Sequence, residues 1–423
     1  MKKVPLIARI LLGFVLGSGL GLLLGQTASA ETTGAILRWV SPFGDVLVAM
    51  LKMVVYPIIF FSLIYGASSM PIRSSGKTGG LVMLWYFATS VFATLFGVAM
   101  AFALNPSMHV ADGFVQKNVS AVNQVVSSGN IGSFGDFLTG LFSNPFEALS
   151  AGRFLPIIVF AILFGLCARC ILDSDSVEES VKSKVRLAID VCDGVQQVSF
   201  KIIDCVIQYF PFGIFALSLT NFARSGTMLF GPYARIACSV IVCVLIMILV
   251  IYPLAILLFC RENPYKVLLK FRHPILTAFV TRSSSATLPM SFHACDSVGI
   301  DRSISSFSLP MGATVNMDGV CVHLPVFAIL AANMFGYELG MLQLGTLCIS
   351  ILFASIGAGG IPGGSVFLLF MVLQAMGLQQ EHITFIVALA LGINPILDMF
   401  ETACNVTGDN ICTYIVSRKL RKN

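Results

Sequence analysis

The stretch GINPILDMFETACNVTGD, residues 392–409, places three acidic side chains inside an otherwise apolar segment near the end of the chain. In an α-helix, at about 100° per residue, one stripe about 80° wide holds Asn394, Asp398, Glu401, Asn405 and Asp409. A charge buried among apolar groups is unfavourable unless it is paired. We therefore expect these acids to be paired, protonated or bound to a ligand, and we interpret the stripe as the centre of a functional site.

The composition of the chain indicates the environment of this helix. The 423 residues are 57% hydrophobic and 11% charged, whereas soluble proteins carry about 25% charged residues. Such a chain has too little polar surface to cover itself in water, which excludes a soluble enzyme, a nucleic-acid-binding protein and a disordered chain. We expect a polytopic protein in contact with membrane lipid, where an uncompensated charge at mid-membrane costs about 2.5–3.5 kcal/mol.

Apolar windows long enough to cross a bilayer predict eight transmembrane helices. They lie near residues 5–27, 40–68, 80–104, 153–172, 193–222, 231–260, 304–336 and 382–416. Two further apolar stretches, 265–297 and 343–378, are interrupted at their centres by small polar residues or glycine. We predict that each forms a re-entrant helical hairpin. The predicted fold class is all-α, with eight transmembrane helices and two re-entrant hairpins.

Positive charges between the predicted helices alternate between rich and poor loops, and both termini are rich in lysine or arginine. The positive-inside rule then predicts cytoplasmic termini. The N-terminus imitates a signal peptide, but its apolar stretch, Ile10 to Gly25, exceeds the usual ~7–15 residues. We therefore expect an uncleaved first helix.

Each interrupted stretch carries groups that suit binding. Residues 281–289 combine hydroxyls with backbone amides at a helix break, which can bind a carboxylate. Residues 355–365 contain five glycines and a proline, which allow close backbone approach. Non-helical backbone at membrane depth persists only where protein or a water-filled cavity satisfies it. Two such breaks indicate a transporter with a site near the midplane.

The stretch GATVNMDG, residues 312–319, lies in the seventh predicted span, and no lysine or arginine is near Asp318. A carboxylate in that position needs a cation or a proton. Oxygen ligands from Thr314, Asn316 and Asp318 suit a hard cation. A neutral, protonated Asp318 is the alternative.

Other classes of function fit less well. A channel is disfavoured because the polar groups concentrate at one level and do not follow a continuous path. A membrane hydrolase using Ser284 lacks a base, since none of the five histidines has a recognisable arrangement with a nucleophile. We expect neither catalysis nor an organic cofactor.

The motifs RSSSATLP (282–289), GATVNMDG, ASIGAGGIPGG (354–364) and LDMFETACNVTGD (397–409) resemble the dicarboxylate/amino acid:cation symporter family, the glutamate transporter homologues. NPFEAL (144–149) and a Tyr86, Thr89, Ser90 cluster extend the likeness, which covers roughly 5–418 in colinear order. The resemblance implies sodium- or proton-driven symport by an elevator motion. It also implies a homotrimer in the bacterial inner membrane.

The resemblance divides the chain into a scaffold and a moving transport domain. The scaffold comprises 1–77 and 106–225, the latter including an outer loop. The transport domain comprises span three (78–105), span six (226–264), the first hairpin (265–300), span seven (301–340), the second hairpin or gate (341–380), and span eight with the basic tail (381–423).

The resemblance also implies three sodium sites. One set of ligands is Asp409, Asn405 and the backbone of Gly312 and Asn316. A deeper set is Tyr86, Thr89, Ser90, Asn316 and Asp318. A third set joins Thr314 to carbonyls around Ser355, Ile356 and Ala358.

For the substrate, the resemblance assigns the α-carboxylate to Ser283, Ser284, Ser285 and Asn405, and the α-amino group to Asp398. It places Gly359 over the substrate and adds Arg282, Val320, Glu401 and Thr402 to the pocket.

This chain departs from the family at Glu401, where members that transport acidic amino acids have an arginine. Val320 and Asn394 replace a usual threonine and aspartate. Repulsion from Glu401 disfavours an acidic side chain, so we predict a neutral or cationic amino acid, with glutamate or aspartate as the alternative. We expect Glu401 to pair with Arg282 or to be protonated.

Overall fold

The computed structural model describes residues 5–68, 76–104, 139–151, 154–356 and 364–420. Within these ranges the long regular elements are all helices. In chain order they are α1 (Leu6–Thr27), α2 (Ala30–Ser68), α3 (Gly76–Leu104), α4 (Pro145–Ala151), α5 (Phe154–Asp173), α6 (Glu179–Ser225), α7 (Phe230–Ile246), α8 (Tyr252–Cys260), α9 (Pro264–Lys270), α10 (Arg272–Thr281), α11 (Ser284–Ser297), α12 (Arg302–Val315), α13 (Asp318–Phe335), α14 (Met341–Ile356), α15 (Gly364–Ala375) and α16 (Gln380–Leu420).

Eight segments of the described chain are long and apolar enough to cross a membrane. They correspond to the eight predicted windows, so the predicted all-α, multi-pass membrane fold is confirmed. The sixth combines α7 and α8 through a π turn at Met247–Ile251, and the seventh combines α12 and α13. The helices extend beyond the apolar windows, as α6 does at Glu179, because helix formation continues through polar residues that hydropathy does not mark.

Both interrupted stretches form helical hairpins. In the first, α10 packs against α11, and the chain reverses at Arg282 and Ser283. Arg282 has a left-handed backbone, φ 55°, which ends α10. In the second, α14 packs against α15, and residues 357–363 of the predicted glycine-rich break, 355–365, lie outside the described residues.

The helices fall into two groups by their mutual contacts. The first group is α1, α2, α5 and α6, where α6 packs against both α1 and α2, and α2 also packs against α5. In the second group, α16 contacts α10, α12, α13 and α15, and α13 also packs on α3. At the centre of the second group, most of α13 and α16 is buried, and the predicted stripe of α16 lies there together with Asn316 and Asp318.

Close backbone packing joins α1 to α6. Four glycines spaced four residues apart on α1 each face a carbonyl of α6, at Pro211, Phe215, Leu219 and Ala223 in turn. A Cβ at Gly13 would lie 2.5 Å from the Pro211 oxygen, and one at Gly25 would lie 2.7 Å from the Ala223 oxygen. Small residues permit this approach between apolar helices, where dispersion drives association. We call this contact the glycine seam.

Candidate substrate and cation site

The predicted polar stripe on α16 is buried throughout its length, with no member more than 4% exposed. Each of its five residues contacts a different partner, so α16 forms the common wall of the site. At its start, Asn394 accepts a hydrogen bond from Ser365 of α15 at 3.2 Å. One turn later, Asp398 lies 3.6 Å from the guanidinium of Arg282 at the tip of the first hairpin. Both hairpins therefore meet α16.

Further along α16, the stripe contacts the break between α12 and α13. The backbone leaves the helical region at Asn316 (φ −92°, ψ 86°) and Met317 (φ −110°, ψ 53°). The side chain of Asn405 accepts a hydrogen bond from the freed amide of Gly319 at 2.7 Å. Asp409 accepts one from the side-chain amide of Asn316 at 3.0 Å. The backbone amide of Gly319 beside the break is thus satisfied by a protein side chain, as its depth in the membrane requires.

Gly312 sets the spacing between this break and α16. A Cβ at this position would collide with the carboxylate of Asp409 and would lie 2.6 Å from the hydroxyl of Tyr86. Only glycine therefore allows the α12 backbone to lie against both side chains. Gly312, Asn316 and Asp409 thus lie together, and Asn405, the fourth residue that the resemblance implies for one cation site, contacts the same break at Gly319.

A second oxygen cluster surrounds Asp318, which is completely buried. Its two carboxylate oxygens accept hydrogen bonds from Ser90 at 3.4 Å and from Tyr252 at 2.8 Å. The hydroxyl of Thr89 donates to the side-chain oxygen of Asn316 at 3.2 Å. The hydroxyl of Tyr86 donates to the carbonyl of Ser308 at 2.9 Å. The structure therefore brings Ser90 to Asp318 and Thr89 to Asn316, whereas the hydroxyl of Tyr86 lies beside Gly312 and Asp409.

Asn316 belongs to both clusters. Its oxygen accepts from Thr89 on α3, and its nitrogen donates to Asp409 on α16. A rotation of the Asn316 amide that moves its oxygen therefore also moves the nitrogen that contacts Asp409. The two clusters are geometrically coupled through one side chain.

The third predicted cation set is not joined within the described residues. The hydroxyl of Thr314 donates to its own helix, to the carbonyl of Met311 at 3.0 Å. Ser355 likewise donates to the carbonyl of Leu352 at 2.9 Å. Ile356 is the last residue of α14, and Ala358 lies outside the described residues.

Glu401 has a different partner from the one expected. Its carboxylate oxygen Oε1 contacts the imidazole nitrogen Nδ1 of His323 on α13. The expectation that Arg282 would pair with Glu401 is wrong, because Arg282 lies against Asp398. The two acids lie at different heights on α16, and α13 passes closer to Glu401 than the tip of the first hairpin does.

The serine run forms the start of α11. Ser283 caps this helix by accepting a hydrogen bond from the amide of Ala286 at 3.2 Å, Ser284 is buried, and Ser285 is exposed. Val320 and Thr402 are buried on α13 and α16, and Gly359 lies outside the described residues.

A profile of the sodium:dicarboxylate symporter family matches residues 6–419. The chain belongs to this family. A serine/threonine transporter SstT of Bifidobacterium adolescentis is 30% identical over 96% of this chain and 87% of the relative. A serine/threonine transporter SstT of Campylobacter jejuni is 28% identical over 95% and 93%. A proton/sodium-glutamate symport protein of Bacillus caldotenax is 26% identical over 99% and 95%. The family predicted from the motifs is confirmed, and with it sodium-coupled amino-acid symport as the class of function.

Sequence reasoning missed two side chains of this symporter, Tyr252 and His323. Tyr252 follows the π turn and precedes Pro253, and such helix irregularities often mark functional positions. His323 is an ionisable residue inside an apolar span, which is itself a signal of function. Neither signal predicts the contact of Tyr252 with Asp318 or that of His323 with Glu401, because each pair is far apart in sequence.

Proposed function

We propose that this symporter takes up neutral amino acids together with sodium. The observation that carries the proposal is the pairing of Glu401 with His323. In the described part of the site, two basic side chains lie near the stripe, and each already contacts a carboxylate: Arg282 contacts Asp398, and His323 contacts Glu401. An acidic substrate would add a negative charge with no available partner, and like charges in a water-poor site cost several kcal/mol.

The same pairing disfavours a cationic side chain. A lysine or arginine side chain would have to share the single carboxylate of Glu401 with the imidazole of His323, which already contacts Oε1. The names of two relatives quoted above, serine/threonine transporters, agree with a neutral substrate, whereas the third is named for glutamate. We assign the substrate α-amino group to Asp398 and the α-carboxylate to the start of α11 and Asn405.

Sodium is the second substrate in this proposal. The clusters around Asp318 and Asp409 supply carboxylate, amide and hydroxyl oxygens, which are the ligands that hard cations prefer. The coupling of the two clusters through Asn316 accounts for binding of more than one ion. The set of Thr314, Ser355, Ile356 and Ala358 forms a third site when the second hairpin closes.

The two groups of helices support an elevator mechanism. We assign α1, α2, α5 and α6 to a scaffold that forms a homotrimer, and the group around α13 and α16 to the domain that moves. Both termini lie in the cytoplasm and the membrane is the bacterial inner membrane, as the charged loops and the resemblance imply.

Uptake into proteoliposomes tests the proposal. We expect an inward sodium gradient to drive accumulation of radiolabelled serine, with potassium unable to replace sodium. The Asp318→Asn variant removes the buried carboxylate from the deeper cluster and should abolish accumulation, whereas Asp204→Asn, at an exposed residue on α6, should not. Accumulation of glutamate in preference to every neutral amino acid would contradict the proposed substrate, and sodium-independent uptake would contradict the coupling.

A further inference from the structure

The pair formed by His323 and Glu401 has two polar atoms that the described residues leave unused. The side chains are 0% and 1% exposed. Glu401 uses Oε1 and His323 uses Nδ1 for their mutual contact. Glu401 Oε2 and His323 Nε2 are buried without a hydrogen-bond partner in the described part of the chain. An unpaired buried polar atom is costly, so a ligand that pairs with it gains affinity.

The close approach of α13 to α16 at Gly319, one helical turn before His323, places His323 against Glu401. A Cβ at Gly319 would lie 2.5 Å from the carbonyl oxygen of Glu401, so α13 and α16 touch there through their backbones. His323 follows four residues later on the same face of α13. One turn further, the ring of Phe327 packs 4.7 Å from the imidazole. The imidazole is thus held between a backbone contact and an aromatic ring.

The pair lies on the stripe of α16 between groups assigned to the substrate. Asp398 and Asn405 flank Glu401 by one turn on either side of the stripe. A neutral donor, such as a hydroxyl, suits Oε2 without adding charge.

We propose that His323 is a positioning residue that determines substrate specificity. It fixes Glu401 so that Oε2 accepts a hydrogen bond from the side-chain hydroxyl of the substrate, and it thereby selects hydroxyl-bearing amino acids over aliphatic ones of the same size. This inference rests on the proposed function and names the substrate class of the same site. A site built to pair with a substrate hydroxyl rejects the analogue that lacks it, because the buried acceptor then stays unpaired.

Calorimetric titration of the purified, full-length protein in sodium tests the inference. The ligands are serine with alanine, and threonine with 2-aminobutyrate, where the second member lacks only the hydroxyl. We expect the wild type to bind the hydroxyl member at least ~10-fold more tightly, as for a hydrogen bond to a charged group. His323→Leu removes the contact to Glu401 and should bring the ratio below ~3-fold. His323→Asn, whose amide can replace Nδ1, should retain most of it.

A ratio separates specificity from structural damage, because both ligands of a pair bind the same folded protein. If His323→Leu does not fold, Glu401→Gln tests the same acceptor position. Its preference for serine over alanine should fall at least ~3-fold, because a neutral acceptor binds a hydroxyl more weakly than a carboxylate does. An unchanged serine-to-alanine ratio in these variants would overturn the role of His323. A wild type that binds alanine as tightly as serine would overturn the inference but not the proposed function. Absence of any sodium-dependent binding of neutral amino acids would overturn both.

Discussion

Two helix contacts in this symporter depend on glycine, and they differ in what the close approach achieves. In the glycine seam, α1 lies against the carbonyls of α6, and backbone faces backbone from Gly13 to Gly25, about three helical turns. Between α13 and α16, Gly319 makes an equally close approach to the backbone of Glu401. The second contact, however, also brings His323 to Glu401 and the Gly319 amide to Asn405.

The difference shows that close helix packing through glycine can either hold two helices together or position binding groups. Small residues let helices associate through dispersion in the absence of a hydrophobic driving force in lipid. In the glycine seam this association is the whole result, so a defect there should affect stability alone. Between α13 and α16 the same spacing sets the positions of binding groups, so a defect there should affect ligand binding first.

The largest expected effect is that of Gly319→Ala. The added methyl would lie 2.5 Å from the Glu401 carbonyl oxygen and 2.8 Å from its Cα, which are backbone atoms that cannot rotate away. Overpacking of this kind costs about 1–3 kcal/mol. If the helices separate, serine affinity in sodium should fall up to ~100-fold, measured by calorimetry.

Gly345→Ala on α14 is the matched control, because a Cβ there has no heavy atom within 4 Å. It should bind serine as the wild type does. Retention of wild-type affinity by Gly319→Ala would mean that the spacing between α13 and α16 does not set the geometry of the site.

A smaller effect is expected from Tyr252→Phe, which tests a hydrogen bond between α8 and Asp318 at the start of α13. This change removes the 2.8 Å hydrogen bond to Asp318 and leaves the ring packing. Because hydrogen bonds to charged groups contribute about 1.5–3 kcal/mol, the sodium concentration for half-maximal serine binding should rise ~10-fold. Tyr265→Phe, at an exposed tyrosine that donates to the carbonyl of Leu249, is the control. Equal sodium dependence in both variants would show that Tyr252 only fills space.

The sequence predicts the spans, both hairpins and the buried stripe because these features are periodic or compositional. Apolar windows define the helices, and a 3.6-residue period aligns Asp398, Glu401 and Asn405 on one face. The individual partners are not periodic. Whether Glu401 meets Arg282 or His323 depends on the height at which each crosses α16, and this height follows from packing between helices distant in sequence.

The glycine seam also has a partner that the sequence does not predict. The apolar stretch at the N-terminus predicts the first helix, and its glycines are visible as a four-residue repeat. The repeat does not identify the helix that receives them. In the structure it is α6, whose Pro211, Phe215, Leu219 and Ala223 share the same spacing.

The smallest effect on binding is expected from Gly17→Ala, at the centre of the glycine seam. The methyl would collide with the carbonyl of Phe215, and overpacking should lower stability by about 1–3 kcal/mol. The apparent melting temperature in detergent should therefore fall, while serine affinity changes less than ~2-fold, since no group assigned to the site lies on α1 or α6. Gly19→Ala, where a Cβ meets nothing within 4 Å, should be neutral or slightly stabilising because alanine favours the helix. A loss of serine affinity in Gly17→Ala comparable to that in Gly319→Ala would show that the two contacts form one cooperative unit. The glycine seam would then affect binding as well as stability.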